Sequence, residues 1–167
     1  RAAEIMESGG IGAFPTETVY GLGADVFNVR AVAKIFEVKQ RPVFDPLIVH
    51  VESERQVSEV ASEVPREARE LMKRFWPGPL TFVLPRKVEV PELVTAGLDT
   101  VAVRLPAHPS AQKLIHALKS PIAAPSANRF GRTSTTDALS VDEEFGDKID
   151  FVLDGGPCGV GVESTIV

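Results

Sequence analysis

The sequence predicts an α/β layered domain built on a twisted, mixed sheet. Three observations carry this. Apolar bursts of strand length recur along the chain, stretches of helical periodicity fall between several of them, and the connections are too uneven for a purely parallel sheet. The bursts are IGAF (11–14), PLIVHV (46–51), LTFVL (80–84), TVAVRL (100–105), PIAA (121–124), IDFVLD (149–154) and STIV (164–167).

The helices follow from spacing. In NVRAVAKIFEVK, Asn28 suits an N-cap, and Val29, Val32, Ala33 and Phe36 fall on one stripe. PREARELMKRF places Pro65 at a first helical position and Ala68, Leu71, Met72 and Phe75 on one face. PSAQKLIHALK repeats the pattern with Ala111, Leu114, Ile115 and Leu118. TTDALSVDEEFG is a further candidate that Gly146 would end. FWPGPLTFVL reads as a turn feeding a strand directly. In such sheets ligands collect where strand ends and loops converge.

A chain of 167 residues fits one domain, 1–167. Arg1 opens inside a helix-like stretch and Val167 closes inside an apolar run, so truncation at both ends is expected. With 44% apolar and 25% charged residues, the composition is that of an ordinary globular protein. No run approaches a membrane span. RAAEIMESGG lacks the long apolar core of a secretion signal, and a cytoplasmic location is expected. One cysteine, Cys158, excludes an internal disulfide framework and a cysteine-based zinc site. A net charge of −5 argues against a broad basic face wrapped on nucleic acid, but leaves room for a small anion-binding cleft.

The polar residues that need explaining sit at strand ends. In PTETVYGLGA, an extended chain would put Thr16, Thr18 and Tyr20 on one face and Glu17 and Val19 on the other. Gly21 and Gly23 would allow a sharp turn or a close ligand. A strand end rich in threonine for β propensity is the alternative. In KQRP, Pro42 disfavours α conformation at Arg41, so Lys39 and Arg41 would point the same way and form an anion clamp without an adjacent carboxylate; a solvated basic turn is the alternative. His50 lies in an apolar strand, where a structural role is usual. Arg104 shares a strand face with Thr100 and Ala102 and must reach water or meet an anion. APSANRFGRTSTT and LDGGPCGVGVEST have the composition of ligand-lining loops. There is no Walker A loop, G-x-G-x-x-G fingerprint, G-x-S-x-G elbow or H-E-x-x-H pair.

Six segments in order resemble the YrdC-like family, whose members include threonylcarbamoyl-AMP synthases. They are PTETVYGLGA, KQRP with PLIVHV, FWPGPLTFVL, VAVRLPAHP, APSAN and GVEST, and they cover nearly the whole chain. The resemblance implies a mixed sheet flanked by helices around a basic cavity. It implies a nucleotidyltransferase reaction in which L-threonine and bicarbonate form N-carboxy-threonine, which attacks the α-phosphate of ATP and releases pyrophosphate. It implies phosphate contacts from Lys39 and Arg41 as the catalytic pair, and nucleotide contacts from Ser126 and Asn128. Thr18, His50, Arg104, Ala124 (through its backbone) and Ser164 fall at threonine-site positions; Thr100 and Ser134 fall near expected ATP contacts. Asp45 stands where asparagine is usual, which puts a carboxylate beside the triphosphate. Mg²⁺ would enter with ATP, no protein metal site is implied, and a downstream tRNA threonylcarbamoyl transferase would take the product. Two rivals stay open: a module that binds RNA without chemistry, and a carbamoyl-adenylate handling domain as in hydrogenase maturation.

Overall fold

The computed structural model describes residues 1–167. Each of the seven apolar bursts contains a strand, and an eighth strand arises from GLGAD. In chain order they are β1 (Gly12–Phe14), β2 (Gly21–Asp25), β3 (Ile48–His50), β4 (Leu80–Pro85), β5 (Thr100–Arg104), β6 (Ile122–Ala124), β7 (Phe151–Val152) and β8 (Thr165–Ile166). They form one mixed sheet in the order β7-β1-β2-β6-β3-β5-β4-β8. Pairs β1/β7, β3/β5 and β4/β8 are parallel; β1/β2, β2/β6, β3/β6 and β4/β5 are antiparallel.

Strand β2 corrects the expectation of a turn at Gly21 and Gly23. Both glycines lie in the ladder, opposite Phe14 and Gly12, and neither has a positive φ. Gly21 lies on the cavity lining, whereas Gly23 leaves room for its neighbours. A Cβ on Gly23 would come within 2.6 Å of Ile122 Cγ2 and 2.7 Å of Phe14 Cε1. The glycine thus makes way for the Phe14 ring, not for a ligand.

The main helices form where the spacing places them. Helix α1 spans Ala2–Glu7, α2 Val29–Lys39, α3 Glu54–Val60, α4 Arg66–Phe75, α5 Glu92–Thr95, α6 Pro109–Leu118 and α7 Ala138–Phe145. Asn28 caps α2, its Oδ1 accepting from Ala31 N at 3.1 Å. The buried stripe of α2 is Ala31, Val32, Ile35, Phe36 and Lys39, which includes the expected Val32 and Phe36, whereas Val29 and Ala33 are exposed. Helix α6 buries Ala111, Leu114, Ile115 and Leu118 as expected. In α4 the expectation fails: Pro65 is the cap residue and only Met72 is fully buried, with Leu71 and Phe75 exposed. Gly146 ends α7, and Trp76–Pro79 leads straight from α4 into β4.

The core lies on both sides of the sheet, unequally. Alternation along the strands sends Ala13, Leu22, Ala24, Val49, Val101, Val103 and Ala123 into a large cluster with α2, α3 and α5. The opposite face holds a smaller cluster, in which Phe14, Ile122 and Ala124 pack against α1 and α6 through Met6, Leu114, Ile115 and Leu118. Helices α1 and α6 cover only the β1 and β6 side of that second face. Over β3 and β5 it stays open, and there the cavity lies. No helix is long and apolar enough to cross a membrane.

Candidate active site

Sheet register builds the cavity floor. Ile48 pairs with Ala124 on one side and Ala102 on the other; His50 pairs with Ile122 and Arg104. The cavity face therefore carries the row Ala124–Ile48–Ala102 and, next to it, His50–Arg104. The cavity volume is about 340 Å³, within the usual range for small-molecule sites. Its walls come from the loop after β1, the segment after α2, the loop after β6 and the chain leading into β8.

The loop after β1 is a bend, not the extended strand that alternation implied. Thr16 Oγ1 accepts from Val19 N and Thr18 N, both at 3.2 Å, and lies 2.8 Å from Thr18 Oγ1. Short hydroxyl side chains stabilise such turns by bonding nearby backbone. The bend brings Glu17 and Thr18 to the same guanidinium. Arg104 Nη2 donates to Glu17 Oε1 at 2.6 Å, Nη1 donates to Thr18 Oγ1 at 2.8 Å, and Nε donates to Gly78 O at 3.3 Å. Arg104 does meet an anion, and that anion is internal. Thr16, Thr18 and Tyr20 all line the cavity, as the sequence leads one to expect, but the Tyr20 hydroxyl is engaged within the protein, donating to Gly156 O at 2.8 Å.

His50 is 4% exposed, stands edge-on to Phe14 with ring centroids 5.7 Å apart, and leaves Nδ1 without a partner. Burial, together with the adjacent Arg104 charge, pulls its pKa down to about 3, so the ring is neutral at pH 7. It lines the cavity as a neutral hydrogen-bonding group and not as a cation.

Lys39 and Arg41 do not form the expected parallel clamp. Helix α2 runs through Lys39, so its side chain leaves on the buried helix face, and Gln40 then turns into the left-handed region at φ 54°. Lys39 is 1% exposed and off the cavity lining. Its Nζ donates to Ser126 O at 2.6 Å and to Asn128 O, and burial lowers its pKa to about 7. Arg41 does line the cavity, but with a carboxylate beside it: Nη2 lies 2.8 Å from Asp45 Oδ2, Nε donates to Asp45 O and Nη2 donates to Pro46 O. The aspartate that looked repulsive towards phosphate is thus paired with the nearest cation.

The APSAN loop is stitched to the segment it faces. Ala127 N donates to Tyr20 O at 2.7 Å, Tyr20 N to Thr135 O at 2.9 Å, and Leu22 N to Pro125 O at 3.0 Å. Ser126 and Ala124 reach the lining. Asn128 does not: its Nδ2 ties Arg129 O and Arg132 O, leaving a buried Oδ1 without a partner. Arg129 and Arg132 are held away by Glu144 of α7. The chain leading into β8 closes the other side. Val160 N donates to Glu17 O and Gly161 N to Thr18 O, both at 2.9 Å; Ser164 Oγ lies 2.7 Å from Thr81 Oγ1, and Ser134 Oγ donates to Glu163. Ser164 and Glu163 line the cavity; Ser134 lies off the lining, bonded to Glu163. Thr100 lies outside the lining, two residues beyond Ala102 on the same face, about 6.6 Å further along β5.

The lining therefore carries two guanidiniums, Arg41 and Arg104, against Asp45 and Glu163, with Glu17 behind. This corrects the expectation of a basic cavity: charges are paired within the protein. No group of three His, Cys, Asp or Glu side chains is placed to hold a metal ion. The residues that sequence reading missed are Glu17 and Glu163. Strand alternation turned Glu17 away, and only the bend at Thr16–Val19 brings it back.

The family described as Telomere recombination (Sua5_yciO_yrdC) matches residues 4–167. The threonylcarbamoyl-AMP synthase of Pyrococcus abyssi is 54% identical over 166 residues, covering 99% of this chain and 49% of that protein. The chain thus spans about half of that relative's length. The threonylcarbamoyl-AMP synthase of Halorhodospira halophila is 38% identical over 154 residues, covering 92% of this chain and 81% of that protein. A crystal structure of P. abyssi Sua5 complexed with L-threonine superposes with a TM-score of 0.98 at 55% identity, covering 99% of this chain and 48% of that one. Sequence match and superposition agree over nearly every residue, from α1 to β8, and the chain belongs to the Sua5/YciO/YrdC family.

Proposed function

We propose that this chain is a nucleotidyltransferase domain that makes threonylcarbamoyl-AMP and pyrophosphate from L-threonine, bicarbonate and ATP. The observation that carries the reading is Arg104 on the cavity floor. A guanidinium has five N–H donors; Gly78, Thr18 and Glu17 take three, leaving one on each Nη for a carboxylate. A fork with two open donors in a partly apolar cavity suits the carboxylate of an amino acid.

The other roles follow from position. Neutral His50 and Thr18 suit the substrate hydroxyl, and a site built to bond a hydroxyl rejects an analogue lacking it far better than an apolar pocket counts methyls. Ala124 and Ser164 bound the same end through backbone and hydroxyl. Arg41 has two N–H groups on Nη1 unclaimed within the protein, which suit phosphate oxygens. Ser126 and Ser134 flank the nucleotide's path; Thr100 would be met only by its outermost part. Lys39 and Asn128 act from behind, shaping the Ser126 wall.

The chemistry needs no protein nucleophile. The amino group of threonine takes up bicarbonate with loss of water, the carbamate oxygen attacks the α-phosphorus, and the α–β phosphoanhydride bond breaks to release pyrophosphate. Such a transfer rests on alignment and charge neutralisation. Mg²⁺ belongs with ATP, because it keeps much of its own water and needs few protein ligands; Asp45 and Glu163 are the carboxylates on the lining that suit its hydration shell. The product is a mixed anhydride, and the class of reaction that consumes it is acyl transfer to an amine, which fits a tRNA threonylcarbamoyl transferase downstream. Neither rival is favoured: relatives at 54% and 38% identity carry the synthase name.

The test is pyrophosphate release from ATP, Mg²⁺ and bicarbonate with each amino acid in turn. Release should depend on threonine, and Arg41→Ala should lower it by about 10²-fold or more, the scale of losing one charge-stabilising donor, while the variant keeps a cooperative unfolding transition. Release that ignores threonine, or salt-sensitive RNA binding without release, overturns the proposal.

A further inference from the structure

Glu17 has no place on the cavity lining, yet its carboxylate is fully engaged just behind it. Oε1 accepts from Arg104 Nη2 at 2.6 Å, and Oε2 accepts from Ala107 N, in the turn between β5 and α6, at 2.9 Å. The carboxylate therefore spans the end of the strand that carries Arg104 and the start of the next helix. Its own main chain is clamped too, since Glu17 O accepts from Val160 N. The Arg104 side chain is buried, at 4% exposure, and Glu17 is half-buried at 17%. Of the three acceptors on Arg104, Glu17 is the only charged one, and the Gly78 carbonyl is the longest at 3.3 Å.

We propose that Glu17 is a positioning residue: it fixes the plane of the Arg104 guanidinium and so sets affinity for the amino acid without touching it. This rests on the synthase reading above. A carboxylate behind an arginine has two opposed effects. It weakens the pull of the cation on an incoming carboxylate, and it holds the fork in the one orientation that gives both remaining donors to that carboxylate. Placement of a site group by a bonded second residue commonly decides whether the geometry is productive. The two effects predict opposite signs. If screening dominates, neutralising Glu17 tightens threonine binding. If positioning dominates, it weakens it. A short, charge-assisted bond in a buried setting favours the second.

The experiment measures KM for L-threonine at saturating ATP, and KM for ATP at saturating threonine, by pyrophosphate release. The proteins are wild type, Glu17→Gln, Arg104→Lys and the double variant. Gln keeps the shape, but only one of its two terminal atoms accepts, so one donor loses its partner. Glu17→Gln should raise the threonine KM at least tenfold, with kcat and the ATP KM within twofold. In the Arg104→Lys background, which has no fork left to orient, it should add no more than twofold. If Glu17→Gln does not fold, Glu17→Asp keeps the charge, shortens the reach and should shift the threonine KM in the same direction. A threonine KM that is unchanged or lower, or equal rises in both KM values, overturns the positioning role while leaving the synthase reading intact. A wild type without threonine-dependent release overturns both.

Discussion

On one face of the sheet, Val49, Val103 and Ala123 pack into a dry cluster under α2, α3 and α5; one residue further along the same strands, His50, Arg104 and Ala124 face the cavity. The strands are the same, and the neighbours differ. Helices α1 and α6 reach only the β1 and β6 side of the second face, so the floor over β3 and β5 borders a cavity whose walls mix apolar side chains such as Val19 and Ile166 with polar ones. A period-2 chain can then alternate core and chemistry within three residues, as Ile48-Val49-His50 does. The polar face is stable because its charges are bonded internally: Arg104 to Glu17 and Thr18, Arg41 to Asp45. A buried cation without such partners would cost several kcal/mol.

The sharpest way to break this comparison is the same substitution on adjacent residues of β5. Val103→Asp places a carboxylate in the dry cluster and should remove more than about 4 kcal/mol, enough to abolish cooperative unfolding at 25 °C. Ala102→Asp, half-buried on the cavity side, should keep a cooperative transition in urea while ending threonine-dependent turnover. Equal stability losses for the two would show that the faces do not differ as described.

A smaller effect comes from His50. Burial, then the charge of Arg104, holds its pKa near 3, against an ordinary value of 6.5. Between those values the unfolded chain binds a proton that the folded chain refuses. Stability is therefore complete above pH 6.5 and falls as pH drops towards 3, by up to about 1.4 kcal/mol per pH unit. Urea midpoints between pH 7 and pH 4 should drop less in His50→Gln than in wild type; parallel slopes would contradict a buried, neutral imidazole.

The dry face was far more legible in the sequence than the open one. Apolar bursts gave seven of the eight strands, and the α6 stripe of Ala111, Leu114, Ile115 and Leu118 was right, because burial imposes a period. Strand β2 is not legible because Gly23 answers to Ile122 and the Phe14 ring, contacts no local pattern encodes. In α2 the spacing finds Val32 and Phe36 but takes Ala33 for Ala31, since the two look alike until the helix is docked. On the open face, Thr18, His50, Arg104, Ala124, Ser126 and Ser164 do converge, yet their partners were not legible. Glu17 meets Arg104 across 87 residues through a bend that alternation cannot foresee. Lys39 would reach the cavity only if the chain were extended there, and the last turn of α2 aims it into the wall instead.

The most direct measurement is a calorimetric titration of L-threonine into wild type and into Arg104→Lys. Lysine keeps a cation against Glu17 and so keeps the fold, but it has no fork to offer a carboxylate. An amino-acid site floored by Arg104 predicts saturable binding to wild type and an affinity at least tenfold weaker in the variant. Equal affinities in two folded proteins would mean that the open face does not bind the amino acid through this guanidinium.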